Sequence, residues 1–450
     1  MSSHFSLYIR DENLSESEKL EKRQAIVKNS RVGDFKELFN INFPVDRTGT
    51  TNCENMIGSV EIPMGLAGPV KVNNFVGGTV EEITDVKNGL FIPLATTEGA
   101  LVASINRGCK AINLSDSLSV FINKVGMARA LVFKCENNFK AHEFSEWMNK
   151  NIKTFAQYCE STSNHLKFLS HQSFIRGRHV YLRFSFDTDE AMGMNMVTIA
   201  LKYAWNKIKE DHVNVKLLSL SGNVCTDKKD SVLNRMFGRG FNVEVEVFLS
   251  KEILAEIFDV TAKDLVRSHV AKNLVGSNVA GSMAQNMHVA NALAAFYIAT
   301  GQDPAHVVGG SEASVTFEEE NDGVYVALTL PTISVGSVGG GTWLPKQSQA
   351  RSLIISQNMD EAKSNSDVES KVEGTAENKA VNVTKDTGTE NITSAEKKSA
   401  SSMVLALTVG VAALAGEISG LCALTNQSLA SAHENLARCN VNLRGKVKNS

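Results

Sequence analysis

Several common nucleotide- and metal-binding signatures are missing from this chain. Neither GxGxxG nor GxxxxGK[ST] occurs, which excludes a Rossmann dinucleotide fingerprint and a P-loop. HExxH, the helical zinc signature of metalloproteases, is absent too. The seven cysteines are odd in number, scattered and without a CxxC pair. They predict reduced thiols and neither a disulfide framework nor a zinc site, so we expect no bound metal.

An excess of one charge is missing as well. The 46 Lys and Arg against 49 Asp and Glu give a net charge of −3, so nothing predicts binding to nucleic acid or to an anionic membrane. The N-terminus lacks the charged start and apolar core of a signal peptide. The most hydrophobic stretch, residues 403–425, could span a bilayer, but Glu417 and several glycines favour a buried core helix. We expect a soluble, cytoplasmic protein of two or three domains.

Strand and helix patterns alternate regularly between residues 130 and 220. A strand, a helix at about 143–160, two strands, a helix at 192–210 and a last strand give the βαββαβ order of a ferredoxin-like module. We therefore predict an α+β fold with an inserted ferredoxin-like module. The predicted parts are an N-terminal helical arm (1–53), a large helix-rich domain (54–130 and 220–450) and the small ferredoxin-like domain (131–219).

The large domain has three further local patterns. Residues 277–300 predict a long core helix. Two strand patterns flank Asn321-Asp322-Gly323, which is a hairpin signal. Residues 358–402 contain no aromatic residue and no leucine, so they predict a disordered insertion that cannot bury enough apolar surface to order itself.

Three segments could carry chemistry, and each has an ordinary structural alternative. Residues 221–229 (SGNVCTDKK) put two lysines behind an acid. This pattern suits a site that binds an anion and stabilises negative charge, and the alternative is a solvated turn. Residues 335–342 (VGSVGGGT) could present backbone amides to a phosphate, or form a tight turn. Residues 190–196 (EAMGMNM) could do the same at a helix start, or supply core methionines.

Three single residues are also candidates. Glu98 lies among small residues, where a poorly solvated carboxyl could stay protonated and act as a general acid; a carboxylate at a helix start is the alternative. Asp303 follows an apolar helix, and capping the next turn is its default role. His433 would ordinarily be a surface helix residue. No single motif decides among these alternatives.

Together and in order, these segments resemble one family, 3-hydroxy-3-methylglutaryl-coenzyme A reductase. The resemblance also covers residues 54–58 (ENMIG), 62–69, 95–112, 272–282 and 297–306, and it runs from about residue 40 to the end. Residues 54–58 and 190–196 look like class I, the mevalonate-synthesising branch. The resemblance implies four-electron reduction of (S)-3-hydroxy-3-methylglutaryl-CoA to (R)-mevalonate and CoA by two NADPH. It also implies active sites shared across a dimer within a tetramer. By the same resemblance, residues 131–219 are the small NADP-binding domain, and residues 54–130 and 220–450 are the substrate domain.

The same resemblance assigns the catalytic roles. Lys228 is the cation at the reacting carbonyl oxygen, and Glu98 is the acid that protonates the aldehyde-level oxygen. Asp303 lies between them and tunes both through a shared hydrogen-bond network. His433 protonates the coenzyme A thiolate from a tail that closes over the thioester.

Binding roles carry over in the same way. The methylglutaryl group is surrounded by Arg129, Ser221, Asp227, Lys229 and Lys272, and Asn291 lies near the catalytic lysine. The coenzyme A contacts are Ser104, Asn106 and Arg107. The cofactor contacts are Ser163, Asn164, Glu190, Met192, Gly193, Met194, Asn195, Gly336, Val338, Gly339 and Gly340.

The sequence departs from the family pattern at three places. Ser163-Asn164 stands where class I members carry Ser-Arg, so the guanidinium expected at the 2′-phosphate is missing. Lys167 could substitute for it, and NADH stays open as the alternative cofactor. Glu190 replaces an aspartate, and Cys439 stands where some animal members have a phosphorylated serine, so we expect that switch to be absent. A non-catalytic homologue that binds coenzyme A esters is the alternative of another class.

Overall fold

The computed structural model describes residues 7–31, 33–77, 89–209, 214–354 and 401–428, which form a mixed α+β fold. The strands are β1 (Met64–Val70), β2 (Asn74–Val76), β3 (Leu90–Ala95), β4 (Ser119–Lys134), β5 (Lys167–Arg176), β6 (His179–Asp187), β7 (Lys216–Ser219), β8 (Gly240–Leu249), β9 (Ser314–Glu320) and β10 (Gly323–Ile333).

Helices of very different lengths connect these strands. They are α1 (Glu16–Ser30), α2 (Lys36–Phe39), α3 (Val45–Thr51), α4 (Leu101–Ser115), α5 (Asn138–Glu160), α6 (Met194–Ile208), α7 (Val232–Phe237), α8 (Lys251–Ile253), α9 (Ala262–His269), α10 (Ser277–Ala280), α11 (Val289–Thr300), α12 (Val307–Gly310), α13 (Pro345–Ser352) and α14 (Ser402–Thr425). Wider π-helical turns, Leu254–Phe258 and Val270–Gly276, continue α8 and α9.

Strand β4 is the long central strand of the main sheet, and its two halves pair with different strands. The strand order of the sheet is β5-β6-β4-β8-β10-β9, and β2 and β7 also pair with β4. The first half of β4 is antiparallel to β8, and the second half, from Met127, is antiparallel to β6 and β7. Gly126 lies at the register shift between the halves with a φ of 82°. A Cβ at Gly126 would lie 2.7 Å from the Phe186 carbonyl oxygen, so the bend requires glycine.

Buried apolar side chains form two clusters on either side of that bend. The small core lies between residues 127 and 208, where α5 and α6 pack on β4 and β6. Its aromatic rings interlock: the Phe133 centroid is 5.1 Å from that of Phe144 and 4.8 Å from that of Trp205. The large core takes buried residues from 67–122, 241–354 and 404–422.

Helix α14 is the central element of the large core. Every residue from Val404 to Ala423 is buried, so the predicted core helix is confirmed, although its length and apolarity would also suit a bilayer. Small residues let neighbours approach closely. A Cβ at Gly108 of α4 would lie 2.0 Å from the Ala415 carbonyl oxygen.

The predicted long helix at 277–300 is wrong. Helix α10 stops at Gly281, which has a φ of 67°, and α11 begins only at Val289. Between them the backbone N–H groups of Met287 and His288 donate to the Glu417 carboxylate of α14, at 2.6 and 2.8 Å. A buried carboxylate thus captures donors that a continuous helix would use internally.

The predicted hairpin is confirmed. Strands β9 and β10 are antiparallel, with Gly323 opposite Glu320. Asn321 and Asp322 form the turn with φ of 47° and 63°, the left-handed values that two-residue hairpin turns require. The predicted insertion at 358–402 lies outside the described residues as far as 400, and Ser402 already begins α14.

Candidate active site

The loop between β7 and α7 holds Lys228 in an uncommon backbone conformation. Asn223, Thr226 and Lys228 have φ of 61°, 53° and 56°, a region that β-branched residues avoid most strongly. The side chains of Thr226 and Asn234 are hydrogen-bonded to each other, and Asn234 Nδ2 also donates to the Thr226 carbonyl at 3.2 Å. Helix α7 therefore fixes the loop, and the surroundings offset the backbone strain.

Lys228 is paired with Asp303. Its Nζ lies 2.6 Å from Asp303 Oδ2, and the two side chains are 40% and 34% exposed. Asp303 also caps the turn after α11, because its Oδ1 accepts from the Ala305 N–H at 3.0 Å. Burial alone would raise the pKa of Asp303, but hydrogen bonds from Lys228 and the Ala305 backbone lower it. The ionised carboxylate keeps Lys228 as a positioned cation.

Buried charges lie behind this pair. Asp227 Oδ1 accepts from Arg239 Nη2 at 3.0 Å, and its Oδ2 lies 3.8 Å from Arg129 Nη1. Arg239 also donates to Met194 Sδ at 2.7 Å and contacts His306 Nδ1 at 3.4 Å. Sequence reasoning missed Arg239 and His306. The sequence did contain a signal for Arg239, which lies between two glycines just before an apolar strand.

The two segments predicted to contact the cofactor meet beside Asp303. Ser337 N–H donates to the Glu190 carbonyl at 2.8 Å, and a Cβ at Gly336 would lie 2.4 Å from Met192 N. Gln302 holds Gly336 by both backbone groups: Gly336 N–H donates to Oε1 at 2.9 Å, and Nε2 donates to the Gly336 carbonyl at 3.0 Å. Gln302 precedes Asp303, so one short segment ties the glycine-rich loop to the charged pair.

This neighbourhood fits a dinucleotide. Gly339 and Gly340 have φ of 81° and 56°, and nothing lies within 4 Å of where their Cβ atoms would be. Gly193 begins α6 with a φ of 86°, and Asn195 is exposed on its first turn. Open backbone amides beside a helix N-terminus are suited to phosphate groups.

Other predicted cofactor residues differ in their surroundings. The Glu190 carboxylate is occupied within the chain, because it accepts from the Ser402 N–H at 2.7 Å at the start of α14. Val338 is 51% exposed. Asn164 and Lys167 are exposed, and Ser163 Oγ accepts from the His165 N–H at 3.2 Å.

A second group of predicted residues meets at the other end of α11, around a cavity of about 400 Å³. Glu98 and Asn291 line it, and Asn291 Nδ2 donates to Glu98 Oε1 at 3.1 Å. Ser104 and Arg107 of α4 line it too. Ser104 Oγ is 3.0 Å from Ser419 Oγ, and Arg107 Nη2 donates to the Ser419 carbonyl at 2.9 Å.

Three predicted residues differ from their expected surroundings. Glu98 is exposed rather than poorly solvated, because it lies in the loop before α4 at the mouth of the cavity. The Asn106 side chain accepts from the Gly68 N–H at 3.0 Å and so binds α4 to β1. Lys272 is exposed on the π-helical turn, with its Nζ 3.5 Å from Asn273 Oδ1.

The length of α11 separates the two groups. Asn291 lies in its first turn and Asp303 just beyond its last, and Asn291 to Thr300 spans about 14 Å at 1.5 Å per residue. Asp303 was expected to lie between Lys228 and Glu98. Within one chain it contacts Lys228, and Glu98 belongs to the opposite end of the helix.

The remaining predicted residues are placed as follows. Lys229 Nζ folds back to the Asp227 carbonyl at 3.1 Å, and Ser221 Oγ is 3.5 Å from Cys225 Sγ. His433 and Cys439 lie outside the described residues, so their roles stay predictions. Among the described residues, no group of three or more His, Cys, Asp or Glu could hold a metal ion.

Comparisons with known proteins agree on one family. A family model described as hydroxymethylglutaryl-coenzyme A reductase matches residues 19–438. The chain is 37% identical over 397 residues to the 3-hydroxy-3-methylglutaryl-coenzyme A reductase of Halobacterium salinarum, covering 88% of this chain and 87% of that protein. It is 36% identical over 419 residues to that of Haloferax volcanii, covering 93% and 92%.

Solved structures agree on the fold. The model is similar to a class II 3-hydroxy-3-methylglutaryl-CoA reductase from Streptococcus pneumoniae that was bound to NADPH in open conformations. The TM-score is 0.59 at 16% identity, over 91% of this chain and 97% of that one.

Proposed function

The chain belongs to the hydroxymethylglutaryl-coenzyme A reductase family and is an oxidoreductase of this type. On that premise we propose that it reduces (S)-3-hydroxy-3-methylglutaryl-CoA by four electrons to (R)-mevalonate and CoA with two NADPH. This is a step of the mevalonate pathway to isoprenoids. The observation that carries the proposal is the Lys228–Asp303 pair, which lies beside the open glycine-rich loop.

The chemistry follows from the positioned cation. Reduction of a thioester carbonyl puts negative charge on its oxygen, and a preorganised ammonium stabilises that charge. Lys228 Nζ supplies the ammonium, and Asp303 Oδ2 holds it in place. Glu98 is proposed as the acid that protonates the aldehyde-level oxygen. NADPH supplies the hydride when it is bound. Residues 190–195 and 336–340 would hold it, and His433 is proposed as the acid for the departing thiolate.

We also propose that two chains complete each active site, within a homodimer-based tetramer. Glu98 and the Lys228–Asp303 pair lie at opposite ends of α11 in one chain, whereas the reaction needs acid and cation at the same carbonyl oxygen. A twofold axis would bring the Glu98 end of one chain to the Lys228 end of its partner. Coenzyme A would then enter along the cavity lined by Ser104 and Arg107.

The domain assignment is part of the proposal. Residues 131–219 are proposed as the inserted ferredoxin-like cofactor domain, supported by the antiparallel strand order β7-β4-β6-β5 with α5 and α6 between the strands. Residues 54–130 and 220–450 form the substrate domain and 1–53 the arm. We propose a class I-like enzyme from residues 54–58 and 190–196, and a cytoplasmic location, which the free thiols of all six described cysteines support.

NADPH is the proposed cofactor, supported by the NADPH complex of the pneumococcal enzyme. Exposed Lys167 could meet the 2′-phosphate in place of the missing arginine. Initial rates with the methylglutaryl thioester and each nicotinamide cofactor test this assignment. A clear preference for NADH would overturn it.

Subunit complementation tests the shared site. Glu98→Gln and Lys228→Ala should each be nearly inactive, but co-expression should restore about a quarter of wild-type activity, because half of the dimers are mixed and each has one intact site. The matched control combines Lys228→Ala with Asp303→Asn. Both changes remove a member of the Lys228–Asp303 pair, which one chain supplies to each site. In a mixed dimer every site therefore has an incomplete pair, and no site is intact. Recovery in the control, or none in the first pair, would contradict the shared site.

A further inference from the structure

His306 is a buried histidine directly behind the Lys228–Asp303 pair. It is 3% exposed and lies in the turn that Asp303 caps. Its Nδ1 contacts Arg239 Nη1 at 3.4 Å, and its Nε2 lies 3.8 Å from Asp303 Oδ2. Asp303 Oδ2 is the same oxygen that binds Lys228 Nζ.

The contact with Arg239 fixes the tautomer of this imidazole. A guanidinium can only donate, so His306 Nδ1 must offer its lone pair and the ring proton must lie on Nε2. Nε2 has no hydrogen-bond partner in the described part of the chain, and Asp303 Oδ2 is the carboxylate oxygen within 4 Å of it. The N–H dipole therefore acts on the catalytic carboxylate.

The ring is neutral at physiological pH. Burial, reinforced by the Arg239 charge, lowers the pKa of His306 to about 4, although the Asp303 and Asp227 carboxylates oppose this. The charged groups that face the ring are Arg239 just before β8, Asp227 and Lys228 from the loop between β7 and α7, and Asp303 from its own turn. A neutral donor stabilises the Asp303 carboxylate without adding a cation that would compete with Lys228.

We propose that His306 is a positioning residue, whose Nε2–H keeps Asp303 ionised and oriented toward Lys228. This inference rests on the proposed function, because it takes the pair as the reacting centre. Without the donor, the Asp303 carboxylate loses a favourable interaction and protonates at higher pH. Lys228 then loses its counter-charge in the acid range, and the acid limb of the pH–rate profile moves to higher pH.

The test compares His306→Leu with His306→Gln, because the glutamine amide keeps a donor for Asp303 and an acceptor for Arg239. On the acid limb of the wild-type profile we expect His306→Leu to lower kcat about tenfold, with the KM for the thioester within about threefold of wild type. Its acid limb should move up by roughly one pH unit. His306→Gln should restore most of the rate and the wild-type limb. Equal losses in both variants with unchanged limbs would overturn the positioning role.

Nitrogen-15 NMR of histidine-labelled protein gives a second readout that does not depend on activity. The His306 signal, assigned by its loss in His306→Gln, should show a neutral ring protonated at Nε2 from pH 5 to 8. A ring protonated at Nδ1, or an imidazolium near pH 7, would overturn the inference. If the wild-type protein does not turn over the thioester, the proposed function fails; titration of the Asp303 carboxyl carbon in wild type and His306→Leu then decides the inference.

Discussion

Replacing Glu312 with glutamine should stabilise the protein in alkaline solution but not in acid. Glu312 is 3% exposed, and its Oε1 accepts from the Ser231 N–H at 2.5 Å, at the start of α7 behind the catalytic loop. Its Oε2 meets no donor in the described ranges, and the Glu312 carboxyl interacts with the carboxyl of Asp230. Two carboxyls can hydrogen-bond only when one of them holds a proton.

The size of the effect follows from that proton. Burial first, then the hydrogen bond with Asp230 and its charge, raises the pKa of Glu312 from 4.5 to about 8. The pKa of Glu312 is higher in the folded than in the unfolded protein. The contribution of its protonated carboxyl to the free energy of unfolding is therefore complete below pH 4.5 and is lost as the pH rises through 8. One pKa unit corresponds to about 1.4 kcal/mol, and solvent at the exposed Asp230 screens part of the interaction, so we expect roughly 2–4 kcal/mol.

Glutamine keeps the acceptor for Ser231, supplies an N–H to Asp230 and does not titrate. Urea denaturation followed by tryptophan fluorescence should give equal free energies of unfolding at pH 5 for wild type and Glu312→Gln. At pH 9 the variant should be more stable by roughly 2–4 kcal/mol. Asp230→Asn is the matched control and should recover part of the same gain. A difference that is the same at both pH values, or a variant less stable at pH 9, refutes the reasoning.

Three further outcomes are expected. Lys228→Ala should lower kcat by about 100-fold or more, whereas Lys229→Ala should mainly raise the KM for the thioester; steady-state kinetics would contradict this division if both changed the same parameter. Gly108→Ala should lower the free energy of unfolding by about 2–4 kcal/mol, because its Cβ would meet the Ala415 carbonyl. Glu417→Gln should cost about 1–3 kcal/mol and speed amide exchange in residues 287–288, and an unchanged exchange rate would count against the carboxylate as their acceptor.

Local patterns predicted the parts of the fold that depend on local chemistry. The hairpin followed from Asn321 and Asp322, which tolerate the left-handed conformation. The core helix at 402–425 followed from the apolar stretch at 403–425, in which Glu417 and several glycines favoured the core over a bilayer. The helix predicted at 277–300 failed because the decisive partner, Glu417, is more than a hundred residues away in sequence. Periodicity reports which residues could be helical, not which tertiary acceptor captures their N–H groups.

The candidate site shows the same division. Motif order singled out two segments that the fold brings into contact, the glycine-rich loop and residues 190–192. It did not show that Glu98 and Lys228 lie at opposite ends of α11 within one chain, because motif order says nothing about where that helix places its two ends. Gln302 and His306 were missed since an ordinary polar residue after an apolar helix carries no signal of the partner it will find.

The position of Lys228 depends on contacts that are costly one at a time. A lysine at a φ of 56° is strained, and Arg239 is a guanidinium buried at 1% exposure. The buried Arg239 guanidinium is tolerated because it forms an ion pair with Asp227 of the loop. The strained conformation of Lys228 is tolerated because Asp303, outside the loop, binds its ammonium. Removing either Asp227 or Asp303 would leave a charge without its counter-charge and would also let the strained backbone of the loop relax. We therefore infer that the loop has one well-populated conformation, which a cation must have if it is to meet a developing oxyanion without reorganising.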